Sequence, residues 1–247
     1  MSDNWQFFPC LVDDRQAFVF FDDGISKKID DLPLPKALRI ALRLSAPNAD
    51  GLPTNEEFPA LSVLEDKLAA EMAALGGIYV GRITVDGQRH FRCFVACEDD
   101  EVERSMRRLA EGSTYVLSHS LELDPDKSGY WQELYPTADD RRTIKDIHVL
   151  EALAERGDDP DAVRQVDHWA YFKSAAQQAA FRRWLEAEGY DLHAADDEVP
   201  GEYPVRFFHR STVRLAEISG HTVALARKAR ELGGTYDGWE TSVEKPD

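Results

Sequence analysis

Two short segments, Asp167-His168-Trp169 and Tyr236-Asp237-Gly238-Trp239, hold the residue types best suited to chemistry. An imidazole beside a carboxylate is the pairing general acid–base catalysis uses, and flanking indoles could wall a ligand pocket. The structural alternative is a hydrogen-bonded histidine that ties two strands together under aromatic packing. A third reading is a contact surface for a partner, drawing on Asp167, His168, Trp169, Tyr171, Tyr236, Asp237 and Trp239. All three need a fold that brings the segments side by side. Elsewhere the chain has no P-loop, no dinucleotide-binding glycine fingerprint, no G-x-S-x-G elbow and no H-E-x-x-H helix. No cysteine or histidine pair has metal-ligand spacing. The expectation is therefore no catalytic residue, no metal and no cofactor.

Composition narrows the class of partner. The net charge is −17 over 247 residues, with acid spread over both halves. Such a surface repels phosphate backbones, so direct nucleic-acid binding is not expected and a basic protein partner suits it better. Cys10, Cys93 and Cys97 cannot all pair within one chain, which is unlike a secreted disulfide scaffold. In the alternating run Arg89 to Cys97 the last two thiols would share one strand face, too far apart for a disulfide or a shared metal, and read as small hydrophobes. The start lacks a secretory pattern and no apolar run reaches membrane-spanning length, so a cytoplasmic location without membrane contact is expected.

The elements that would position the two segments follow from periodicity. A seam lies at Tyr135-Pro136-Thr137, giving domains at 1–136 and 137–247. In the second domain a helix with the stripe Ile144, Ile147, Leu150 and Ala154 runs to Gly157. A strand at Arg164 to Phe172 follows, then a helix opened by Ser174 to Gln177. Next come a short strand at Tyr190 to Ala195, a polar connection from Asp196 to Gly201 and a strand from Pro204 to Leu215. A helix capped by Ser219 and a strand at Thr235 to Val243 complete the order. The order β-α-β-β-α-β is the split βαβ, ferredoxin-like unit, which sets its first and last strands side by side. The first domain repeats it with an extra strand in front, with strands at about 16–22 and 36–45 and a helix at about 55–75 opened by a Thr54/Glu57 capping box. Strands at about 77–85 and 88–97, a helix at about 100–111 and a strand at about 114–123 follow. The fold class is thus α+β, with two tandem ferredoxin-like α/β sandwich domains. Bulky residues on both faces of the second sheet predict that its outer face is covered by the first domain, a second copy or a partner.

The landmarks Gly157-Asp158-Asp159-Pro160-Asp161-Ala162, Asp167-His168, Gly189-Tyr190 and Gly234-x-Tyr236-Asp237-Gly238-Trp239 resemble the regulator of ribonuclease E activity B family in order and spacing. The resemblance implies a ferredoxin-like domain without catalytic activity that binds the non-catalytic region of ribonuclease E and reduces RNA cleavage. The chain departs from that pattern in ending Glu244-Lys245-Pro246-Asp247, without an acidic tail, and in its added first domain. Through Gly51 to Glu57, Gly81-Arg82, Asp124-Pro125 and Tyr135-Pro136, that domain is similar to a bacterial family with no assigned function. The reading is a non-catalytic regulator that binds a ribonuclease E-like endoribonuclease through the Trp169–Trp239 strand surface. The alternatives are a small-molecule-binding or hydrolytic protein using His168 and Asp237 in a pocket between the domains, and a homo-oligomeric module, such as a homodimer through the open sheet.

Overall fold

The computed structural model gives residues 4–193 and 201–246, in two compact units that divide at Pro136/Thr137. Each unit is an α+β sandwich around an antiparallel sheet. The strand expected to end at Ala195 and the connection from Asp196 lie partly outside the described residues.

The first unit has six strands, β1 (Trp5–Val12), β2 (Arg15–Asp22), β3 (Lys36–Arg43), β4 (Ile78–Val85), β5 (Gln88–Val95) and β6 (Leu117–Leu123). Its helices are α1 (Phe58–Ala74), α2 (Asp99–Ala110) and the short α3 (Ser128–Trp131). The strand order is β1-β2-β4-β5-β3-β6. Within it, β3-α1-β4-β5-α2-β6 is the ferredoxin-like unit, and β1 with β2 extends the sheet beyond β4. Leu61, Leu64, Leu68 and Met72 of α1 pack with Val102, Met106 and Leu109 of α2 over Leu38, Ile40, Phe91 and Cys93. Cys93 is buried in this core, which pushes its thiol up, as its apolar reading requires. Cys97 lies beyond the end of β5 rather than in it.

Sequence periodicity misses β1 because Pro9 interrupts it, and proline removes a ladder donor. The strand survives because it is the sheet edge, where Pro9 sits opposite Phe18 on its one paired side. Asp13 and Asp14, both at positive φ, close the β1–β2 hairpin in two residues, as primed turns do. The Thr54/Glu57 capping box does not form. The Glu57 carboxylate instead turns to the Ser45 N–H at 2.6 Å, the Ala46 N–H at 3.3 Å and the Tyr115 hydroxyl at 3.0 Å. Burial by itself would raise this carboxyl's pKa, but the donors outweigh it and hold the group below its ordinary value.

The second unit runs α4 (Ala138–Ala154), β7 (Arg164–Phe172), α5 (Ala175–Ala187), β8 (Asp191–Leu192), β9 (Tyr203–Ser211), α6 (Leu215–Glu231) and β10 (Thr235–Thr241). Its strand order, β10-β7-β9-β8, is that of the ferredoxin-like unit, so β7 and β10 pair antiparallel. Thr137 and Asp140 form a reciprocal capping box that starts α4. Ser219 does not cap α6, which begins one turn earlier at Leu215, and its hydroxyl points to α4 instead. Helices α5 and α6 cover one sheet face and α4 packs on α6. The core there is built from Ala170, Phe172, Phe181, Val205, Phe207 and Leu225, continued by Val166, Ile218 and Trp239.

Glu57→Ala removes three hydrogen bonds to a buried carboxylate and strands the Ser45 N–H. It should cost the first unit about 2–3 kcal/mol, read by urea unfolding followed through Trp5, with Glu57→Gln recovering part of the loss.

Candidate functional site

The β7–β10 pairing brings the two sequence segments together, but alternation and a bulge sort their side chains onto different faces. In β7, Val166, His168, Ala170 and Phe172 are buried under the helices, while Asp167, Trp169 and Tyr171 line the other face. In β10 the register shifts between Tyr236 and Gly238. This bulge leaves Tyr236 and Trp239 both on the covered face and Asp237 exposed between them. Trp239 pairs in register with His168, and Trp169 lies on the opposite face. The expected His168–Asp237 pair with flanking indoles is therefore not formed.

His168 has other partners. Its Nδ1 lies 2.7 Å from the Tyr236 hydroxyl and its Nε2 lies 2.9 Å from His209 Nδ1. His209 Nε2 lies 2.9 Å from Ser211 Oγ, which donates to the Thr212 carbonyl at 2.8 Å. That last bond fixes the direction of the others. Ser211 Oγ accepts from His209 Nε2–H, His209 Nδ1 accepts from His168 Nε2–H, and His168 Nδ1 accepts from Tyr236 Oη–H. Every member is neutral and every donor is used. His221 borders the chain with its ring centroid 4.0 Å from that of His209 and its Nδ1 2.6 Å from the Tyr190 hydroxyl.

Burial foremost, then the neighbouring His209, His221 and Arg142, drives the His168 pKa well below its ordinary value. His209 is lowered to about 4, by burial and then His221, and His221 is lowered by burial. His168 is fully buried with both ring nitrogens occupied, so it has neither a lone pair nor a proton for a substrate. The geometry is that of a clamp across β10, β7 and β9. The direct His168–Asp237 pairing that the hydrolytic alternative draws on is not formed.

A second buried network anchors the same face. Asp146 of α4 is fully buried, with Oδ1 accepting from Trp239 Nε1 at 2.9 Å and Arg142 Nη2 at 3.2 Å. Its Oδ2 accepts from Thr222 Oγ1 at 2.5 Å and Ser219 Oγ at 3.1 Å. Arg142 also donates to the Asp237 carbonyl at 3.1 Å and lies over the Tyr236 ring, which explains how the bulged backbone is held. Sequence reading passed over Asp146, Arg142, His209 and His221. His209 was within reach, because it follows Val205 and Phe207 at period two and so falls on the core face.

The other sheet face carries Asp167, Trp169 and Tyr171 of β7 and Arg206 and Phe208 of β9. There the Arg206 guanidinium lies 5.3 Å above the Trp169 ring, and Asp167 holds His193 Nε2 at 2.6 Å and Gln165 Nε2 at 3.0 Å. His193 in turn packs on Phe208. Asp167, Arg206 and the exposed Glu240 make this face mixed polar and aromatic rather than apolar, which corrects the sequence expectation. Among the described residues no group of His, Cys, Asp and Glu is placed to hold a metal ion, and no helix is long and apolar enough to cross a membrane.

Two outcomes follow. A histidine with a lowered folded pKa contributes stability that is present above about pH 6.5 and is lost as pH falls toward its folded pKa. For His209 that window runs from 6.5 to about 4 and carries about 3 kcal/mol. Unfolding of the second unit followed by urea titration across it should steepen accordingly, and His209→Gln should flatten the slope. Asp146→Ala, which leaves Arg142 buried without its carboxylate, should cost about 3–5 kcal/mol in the same measurement.

Comparison with known proteins gives the lineage. Residues 143–241 match the family described as Regulator of ribonuclease activity B, and residues 3–135 match a family of unknown function, DUF695. No curated protein matches the chain. Among solved structures, an unknown protein from Galdieria sulphuraria aligns at 10% identity and a TM-score of 0.22, covering 84% of this chain and 98% of that one. A putative glycine cleavage system transcriptional repressor aligns at 7% identity and a TM-score of 0.26, covering 86% of this chain and 100% of that one. Both superpositions are too loose to bear on fold or activity. More than half of the chain lies within the DUF695 match and the remainder carries the other, so the protein belongs to the DUF695 family and has a Regulator of ribonuclease activity B domain as its second half.

Proposed function

We propose that the protein is a non-catalytic regulator that binds a ribonuclease E-type endoribonuclease, or another component of the RNA-degradation machinery, and restrains it sterically. The observation that carries this reading is the match of residues 143–241 to a family described as regulating ribonuclease activity. The contact surface is the open face of β7 and β9, where Trp169, Tyr171, Phe208 and Arg206 are the residue types that dominate interface energetics. Asp167, Asp191 and Glu240 on or beside that face, within a chain of net charge −17, favour a basic protein segment over RNA itself. His168, Tyr236 and Trp239 serve this surface from behind, by holding the strands that display it.

The purified full chain should bind an immobilised ribonuclease E-type enzyme and slow its cleavage of a model RNA, with affinity that falls as salt rises. Trp169→Ala combined with Tyr171→Ala should weaken inhibition at least about tenfold with the melting temperature unchanged. Cleavage rates indifferent to the added protein, with no association at low salt, would overturn the proposal.

A further inference from the structure

The hairpin β1–β2 creates a feature that the ferredoxin-like unit alone would lack. Cross-strand register places Phe7, Phe20, Arg82 and Phe91 in one row across the sheet, and Pro9, Phe18, Thr84 and Arg89 in the next. Residues opposite one another in register share a face, and Phe91 identifies it as the face that α1 and α2 cover. Ser62, Glu65 and Ala69 of α1 border Trp5 and Phe20, and beside Phe7 and Phe18 the helix layer is reduced to Phe58, the first residue of α1. The result is a cleft of about 460 Å³, walled by Phe7, Phe18, Phe20 and Phe58 and floored by Arg82 and Arg89. Its lining contains two arginines and no carboxylate, and the adjoining cavity that shares Phe20, Phe58, Arg82 and Arg89 holds Glu65 and Asp66 on its α1 side.

The charge at that floor is not balanced. Glu65 of α1 is the counter-ion, pairing with Arg82 and accepting from the Tyr79 hydroxyl at 2.6 Å. It stands 3.7 Å from Arg89 Nη1, an ion pair without a hydrogen bond, while Arg89 Nε donates to Thr84 Oγ1 at 3.2 Å. One carboxylate thus faces two guanidinium groups, and Arg89 is only 3% exposed. The next carboxylate along the helix, Asp66, is exposed. Burial, and then Arg82, lowers the Arg89 pKa to about 10. A cation left in excess in a desolvated site is costly unless an anion joins it. Planar guanidinium groups match a carboxylate, and the phenylalanine walls match an apolar body. Arg82, lying 4.2 Å above the Phe20 ring, is fixed at the junction of the two. The volume is that of a small-molecule site.

We infer that this cleft binds a small amphipathic monoanion, an apolar or aromatic group bearing one carboxylate, with the carboxylate on Arg82 and Arg89 and the body among the four phenylalanines. The site lies wholly within the first unit and stands apart from the regulatory reading of the second.

Calorimetric titration of the full chain with 4-phenylbutyrate and with neutral 4-phenylbutyramide tests it. The acid should bind saturably at one per chain, roughly tenfold or more tighter than the amide. Phe58→Asp, at a position 53% exposed, sets a carboxylate at the mouth and should weaken the acid by a similar factor without shifting Tm. Arg82→Gln should bring the acid down to the affinity of the amide. Equal binding of acid and amide, heat that never saturates, or a Phe58→Asp protein that binds the acid as tightly as the unmodified chain would each overturn the inference. If Arg82→Gln fails to fold, Phe58→Asp decides the matter alone.

Discussion

The carboxylate of Asp146 is the interaction on which the second unit is built. Four donors from three elements converge on it: Arg142 of its own helix, Ser219 and Thr222 of α6, and the Trp239 indole of β10. A buried carboxylate is tolerated only when its lone pairs are filled and its charge met, and here both conditions hold. Arg142 completes the arrangement by reaching the Asp237 carbonyl, so the charge pair also fixes the β10 bulge. That bulge decides which residues of the Tyr236–Trp239 motif face the core.

The neutral chain from Tyr236 to Thr212 depends on this placement. Tyr236 can reach His168 because the bulge sets it on the covered face, and His168 then links to His209 across β9. Low dielectric strengthens such a chain while it is fully satisfied and makes any added proton costly. The result is a rigid covered face that supports a different chemistry on the open one, where Trp169 and Arg206 stack beside the Asp167–His193 pair. One sheet thus keeps its buried histidine chain and its mixed polar and aromatic face on opposite sides.

The first unit uses the same topology differently. Its added hairpin lengthens the sheet past the helices, so residues that would otherwise be core, Phe18 and Phe20 among them, line a cleft with Arg82 and Arg89 at its base. The Glu57 carboxylate, drawn away from the helix cap to Ser45, Ala46 and Tyr115, anchors the segment that precedes α1.

Strand and helix identities were legible in the sequence wherever hydrophobic period was strong, as from Arg164 to Phe172 and from Phe58 to Leu75, because burial on one face imposes that period directly. The tandem β-α-β-β-α-β order was legible for the same reason, whereas the family resemblance was carried by the landmark residues from Gly157 to Ala162, at Asp167-His168 and Gly189-Tyr190, and from Gly234 to Trp239. Alternation alone also separates Asp167 and Trp169 from His168. Three things needed the tertiary structure. The edge strand with Pro9 pairs on one side only, which no local pattern reports. The bulge at Asp237 shifts register by one residue and so reverses which side chains face inward. The convergence on Asp146 joins groups from three elements, and a polar residue on a helix gives no local sign that its partners lie on another helix and a strand. The sequence by itself determined which elements form and in what order, apart from the edge strand β1 and the short α3. Which side chains meet, and therefore that His168 bonds Tyr236 and His209 rather than Asp237, was decided by register and long-range hydrogen bonding.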